Sequence, residues 1–162
     1  MKGRPRSVER KVAAYLTQLL SDAGKIEKPL YRIPVIGRTG PDIAFDKTVK
    51  LIIDVKSRLQ VPVGVLANKN EFLLIYPDKA AKTFYCFRLE YLLHVPEMER
   101  TNRTANSSKM VTDWWLHMDE WTQANEPDGI SAIILHKPHM PIGHATVVIS
   151  IKDWSNLCNR LQ

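Results

Sequence analysis

Apolar residues near the start of the chain recur at helical spacing. Val8, Val12, Tyr15, Leu16, Leu19 and Leu20 make one stripe, with Ser7 placed to cap it and Gly24 to stop it, which predicts a helix from Ser7 to about Ala23. On its wheel Glu9 falls between Leu16 and Leu20, at the stripe's edge, while Arg10 and Lys11 point away. The period then drops to two, predicting strands at Leu30–Val35, Asp42–Asp46 and Val49–Lys56. Gly37 and Gly40 break the first connection, and Asp46-Lys47-Thr48 makes a tight turn in the second. In the third strand Leu51, Ile53 and Val55 alternate with Ile52, Asp54 and Lys56, so one face is apolar and the other ends in a charged pair.

Further on, Glu71–Tyr76 and Thr83–Phe87 read as a hairpin, followed by a short helix near Leu89–His94. Pro96–Lys109 is polar and reads as a mobile loop. Val111, Trp114, Trp115, Met118 and Trp121 mark an amphipathic helix to about Asn125. Ile130–Leu135 and Ala145–Ile151 give a second hairpin, and Trp154, Leu157, Cys158 and Leu161 a closing helix. The two hairpin-plus-helix segments can be aligned so that Glu90-Tyr91 falls on Asp153-Trp154. A duplicated unit and a chance likeness of two Pro-containing hairpins both account for that.

A length of 162 residues suits one domain, 1–162, with its own core, and 44% hydrophobic with 25% charged residues is the balance of a folded protein. No apolar run approaches the about 18–20 residues that span a bilayer, and the basic start has no apolar stretch behind it, so a cytoplasmic protein is expected. Cys86 and Cys158 stand far apart, outside any CxxC pair, and read as reduced core residues. The formal charge of +6 suits a polyanionic partner without identifying one.

The chemistry concentrates in GRTGPDIAFDKTVKLIIDVKSR. If the loop is Lys47-Thr48-Val49, Asp42 lies opposite Asp54; a two-residue loop makes them diagonal neighbours. Carboxylates that face each other across strands repel unless a positive charge sits between them. A hard cation such as Mg²⁺, which prefers oxygen ligands, satisfies both. Lys56, two residues beyond Asp54 on the same face, is placed to orient a water or hold an anionic phosphate oxygen, and Glu9 offers a third carboxylate. These are the parts for metal-assisted phosphodiester hydrolysis.

Pro41-Asp42, then Asp54-Val55-Lys56 on an apolar strand, with Glu9 on a preceding helix, resemble the PD-(D/E)xK nuclease superfamily. The resemblance implies an α/β fold with a restriction-endonuclease-like core: a helix, a three-stranded meander, a helix and further strands in a mixed sheet. An inserted hairpin-plus-helix at about 58–110 interrupts that order. The first 58 residues look most like archaeal- and phage-type Holliday junction resolvases, through Arg4, Arg6, Glu9 and Arg10 and through the strand Arg32-Ile33-Pro34-Val35-Ile36-Gly37. Ile36 stands where that pattern has serine, the glycine-to-PD spacing is short, and Arg58–Met110 has no simple counterpart. By this resemblance Asp42, Asp54, Glu9 and the carbonyl of Val55 bind Mg²⁺, with Mn²⁺ able to substitute, and Lys56 is the catalytic lysine. The implied activity is that of a metal-dependent DNA endonuclease acting on branched DNA, as a homodimer matched to a two-fold four-way junction. Site-specific cutting of linear duplex and DNA binding without cleavage are the alternatives.

Each residue also has a plainer role: Glu9 as a helix-dipole acid, Asp42 as a turn residue, Lys56 as an edge lysine. Arg4, Arg6, Arg10, Lys11, Arg32 and Arg38 are expected to grip phosphates around the site. Trp114, Trp115 and Trp121 read as core or dimer interface rather than stacking platforms. His136, His139 and His144 lack the further ligands that a zinc site needs.

Overall fold

A computed structural model describes residues 5–34, 40–69, 73–76, 83–97, 103–106 and 109–162, with the backbone alone at 5–6, 73–76, 95–97 and 103–106. Arg4 and Arg38 lie outside it, as does the Arg6 side chain. Helix α1 (Pro5–Asp22) buries Val8, Val12, Leu16 and Leu20 of the predicted stripe together with Ala13, and leaves Tyr15 and Leu19 half-buried against the same core. It begins at Pro5 rather than after a Ser7 cap, because proline's fixed φ suits a first turn that needs no N–H there. Gly24, at φ 71°, ends it: Gly24 N–H reaches the Ser21 carbonyl at 3.0 Å and Lys25 N–H the Leu20 carbonyl at 2.8 Å.

Among the described residues six strands follow: β1 (Leu51–Ser57), β2 (Leu73–Tyr76), β3 (Phe84–Arg88), β4 (Arg103–Asn106), β5 (Ile130–His136) and β6 (Thr146–Ser150). They form one mixed sheet in the order β1-β5-β6-β3-β2-β4. The β1·β5 and β2·β4 pairs are parallel and the other three antiparallel. Helix α2 (Lys109–Asn125) makes the crossover into β5, and α3 (Trp154–Leu161) closes the chain. Parallel neighbours need such a crossover, and α2 therefore lies across the face of β1 and β5.

The sheet separates two cores. On one face Leu51, Ile53, Val55, Tyr85, Phe87, Ile134, Val147 and Ile149 meet α1, α3 and the 3₁₀ helix Leu89–Glu97. On the other, Ile52, Phe84, Cys86, Ile133, Leu135 and Val148 meet Val111, Trp115 and Met118 of α2 and the loop residues Val61 and Val65. Trp115 packs edge-on against Phe84, 5.0 Å between ring centres, and Trp154 covers Tyr85 at 4.7 Å.

Two expected elements take another form. Of the predicted meander only β1 is a full strand; Leu30–Val35 and Asp42–Asp46 meet through a single antiparallel bridge, Arg32 with Ile43. Asp46 spends its carboxylate on the turn instead, accepting Thr48 N–H at 2.8 Å and Val49 N–H at 3.0 Å. The polar segment Pro96–Lys109, expected to be a loop, contains β4, which pairs with β2 at the sheet's edge where polar side chains are tolerated. The two hairpins do sit side by side through β3 and β6, with their following helices on the same face. The alignment through Glu90 and Asp153 nevertheless equates Tyr85 with Val148, which point to opposite faces, so it is one residue out of phase.

Candidate active site

The exposed edge of β1 sets the geometry. Its other edge is paired with β5, so the N–H and C=O groups of Ile53 and Val55 face outward. The turn at Gly40-Pro41-Asp42 covers them: Asp42 N–H donates to the Ile53 carbonyl at 2.8 Å, and the Asp42 carboxylate accepts Val55 N–H at 2.7 Å. Gly40 makes the approach possible. Its φ of 131° suits glycine, and an added Cβ would lie 3.1 Å from Trp121 Nε1.

Strand alternation places Asp54 and Lys56 on the α2 face, in line with Ile52. The Lys56 ammonium lies 3.3 Å from Asp54 Oδ2, and the two side chains are 22% and 18% exposed. Asp54 also shares a side-chain hydrogen bond with Asp42, and burial foremost, then that neighbouring acid, pushes its carboxyl up from 3.8 to about 8. Lys56 pulls the other way without prevailing. Two acids and one ammonium thus face a cleft of about 280 Å³ whose far wall is Trp114, His117 and Met118 of α2. Trp114 lies over Lys56, with the ammonium 5.7 Å from its ring centre.

The structure brings Asp42, Asp54 and Lys56 together as expected from the chain, and turns the Val55 carbonyl to the same open edge. Glu9 does not line this cleft; it belongs to α1, the layer on the opposite face, and is held by Arg32 Nε at 3.0 Å. Among the described residues no group of three metal-ligating side chains is assembled, so the side-chain donor set is the Asp42–Asp54 pair. That pair suits a hard divalent cation: its donors are carboxylate oxygens, and burial, then the neighbouring Asp42, raises the affinity of Asp54 for a positive partner.

Of the expected basic rim, the described side chains Arg10, Arg32 and Lys11 line two separate grooves. Arg10 and Arg32 line a groove of about 660 Å³ beside the exposed Tyr31. Lys11 lines another of about 740 Å³ with Ser57 and His139. His136 is buried and fully used: Nε2 donates to the Met140 carbonyl at 2.8 Å, which leaves Nδ1 to meet the Ser57 hydroxyl at 2.9 Å.

Sequence reasoning missed the α2 wall. Trp114, His117 and Trp121 do repeat at i, i+3 and i+7, but only the parallel pairing of β1 with β5 reveals that this stripe overlies Asp54 and Lys56. No family model, no curated protein and no solved structure matches the chain.

Proposed function

We propose that the chain is a divalent-cation-dependent DNA endonuclease with the PD-(D/E)xK type of site. The observation that carries this reading is the packing of Asp42 against Asp54 at the open edge of β1, with Lys56 3.3 Å away in an accessible cleft. Such crowding of acids destabilises a protein with no use for it. The order of α1, the bridged segments leading into β1, α2 and a parallel β5 supports the restriction-endonuclease-like core that the resemblance implies.

In this reading Asp42 and Asp54 hold Mg²⁺ or Mn²⁺, with the Val55 carbonyl turned toward the same edge. The bound cation supplies Lewis-acid stabilisation of the charge that develops on the phosphate. Lys56 orients the attacking water and neutralises a phosphoryl oxygen, and its tie to Asp54 fixes where the ammonium can reach. Asp42 keeps its place through Val55 N–H, so one carboxylate orients itself on the strand it serves. Glu9 stays with Arg32 and is left out of the ligand set. Exposed Arg10 and Lys11 contact flanking phosphates, and the substrate is branched DNA bound by a homodimer.

The test is cleavage of a labelled four-way junction, a splayed arm and a linear duplex, each with Mg²⁺ or with EDTA. Paired symmetric nicks in the junction alone, lost in EDTA and in Asp54→Asn and Lys56→Ala, are expected. Cutting of the duplex at fixed positions would reassign the substrate, and binding without cutting would leave a DNA-organising protein.

A further inference from the structure

Helix α2 walls the candidate site with Trp114, His117 and Met118, and two of its tryptophans meet the elements that carry the charged groups. Trp121 supports the turn that carries Asp42, through Gly40. Trp114 lies over the end of Lys56, with the ammonium 5.7 Å from the ring centre, inside the range of a cation–π contact. The ammonium therefore has two anchors, Asp54 Oδ2 at 3.3 Å and the Trp114 indole face.

The two anchors differ in kind. Asp54 is also a side-chain donor to the proposed cation, and a carboxylate that coordinates a cation attracts an ammonium less strongly. The indole face ligates no cation of its own and keeps its quadrupole whatever Asp54 binds. A lysine has four rotatable bonds, so its ammonium stays at one place only while something holds it. Met118, one turn on, is buried, and Trp114 sits half-buried at the rim of the same stripe, where the edge strand β1 leaves its ring open to the cleft.

We propose that Trp114 is a positioning residue for Lys56, its π face holding the ammonium at the cleft while Asp54 is engaged by the cation. The functional part rests on the nuclease reading; the placement of Lys56 does not.

The experiment compares Trp114→Tyr, Trp114→Phe and Trp114→Leu in the full chain, since leucine keeps apolar bulk and lacks a π face. The first readout is acetylation of Lys56 by a limiting amine-reactive reagent, followed by mass spectrometry, in EDTA and in saturating Mg²⁺. Trp114→Leu is expected to raise the Lys56 rate by about tenfold in Mg²⁺, and Trp114→Phe and Trp114→Tyr by much less. Exposed Lys109 serves as the internal standard. The second readout is DNA cleavage: kcat falls by about tenfold in Trp114→Leu with KM unchanged, and an aromatic ring restores most of it. Equal Lys56 labelling in the leucine and phenylalanine variants overturns the proposal. If Trp114→Leu does not fold, the tyrosine and phenylalanine variants against wild type carry the comparison, and wild-type labelling with a lost kcat overturns it equally. A ring-dependent labelling pattern in a protein that cuts no DNA upholds the placement and removes the nuclease reading instead.

Discussion

Asp54 holds its proton to about pH 8 because burial and the Asp42 carboxylate both penalise its charge. Its folded value lies above its ordinary 3.8, so the stability that neutral Asp54 contributes is fully present below that pH and is lost as the pH rises to about 8. The metal-free protein should therefore lose stability between about pH 4 and 8, and Asp54→Asn should flatten that decline. Thermal melts in EDTA across that window check it; an unchanged slope in the variant would remove the acid pair as its cause. Two glycines make a matched residue-scale comparison. Gly24→Ala meets nothing within 4 Å and should cost about 1 kcal/mol through its positive φ alone, with cleavage intact below the melting temperature. Gly40→Ala adds a contact at 3.1 Å to Trp121, should cost about 1–3 kcal/mol, and should shift Asp42 and lower kcat.

Among elements, β1 and α2 do the most for the site, and their tolerance to change follows from how closely they are packed. Ile52 sits under α2, and the turn into β5 passes so near that a Cβ at Gly129 would lie 2.7 Å from Ile52 Cγ1. Gly129→Ala should destabilise by about 1–3 kcal/mol by overpacking, measurable as a lowered denaturation midpoint with an unchanged m-value. The turn is tied down from several sides: Lys50 pairs with Asp128 at 2.6 Å and Glu126 at 2.8 Å, and Arg160 reaches the Asp128 carbonyl at 2.6 Å. The Glu9–Arg32 pair locks α1 to the segment leading into the site. With the Glu9 and Arg32 side chains only 12% and 15% exposed, Arg32→Met removes the guanidinium that holds Glu9 and should cost about 1–3 kcal/mol.

At the scale of the whole molecule, the net charge is +6, and among the described residues Arg10, Arg32 and Lys11 line two grooves other than the cleft. DNA affinity should fall linearly with the logarithm of salt concentration. Arg10→Ala and Lys11→Ala should each reduce that slope by about 1 while leaving the Mg²⁺ requirement of cleavage unchanged. Mg²⁺ should raise the melting temperature more at pH 8 than at pH 6, because the cation competes with the Asp54 proton. Fluorimetry at fixed Mg²⁺ and two pH values is enough to see it. Among the described residues no helix is long and apolar enough to cross a membrane.

The helices and most strands are legible in the chain because each carries its own periodicity: the Val8–Leu20 stripe, the alternation along β1, and the Trp-rich face of α2. Asp42, Asp54 and Lys56 are legible as a group because they lie close in sequence, and a short turn leaves few places for them to go. β4 escaped because Arg103–Asn106 is polar and becomes a strand only by pairing with β2, a partner supplied from far along the chain. Glu9 illustrates the same limit: its place on the wheel was readable, but Arg32 and the opposite face of the sheet decide what it meets. Trp114 and His117 reach the cleft only because β5 pairs in parallel with β1 and the connecting helix must cross over that edge. Local pattern determined the elements and the acids. Long-range strand pairing, which no local pattern encodes, decided which helix faces them.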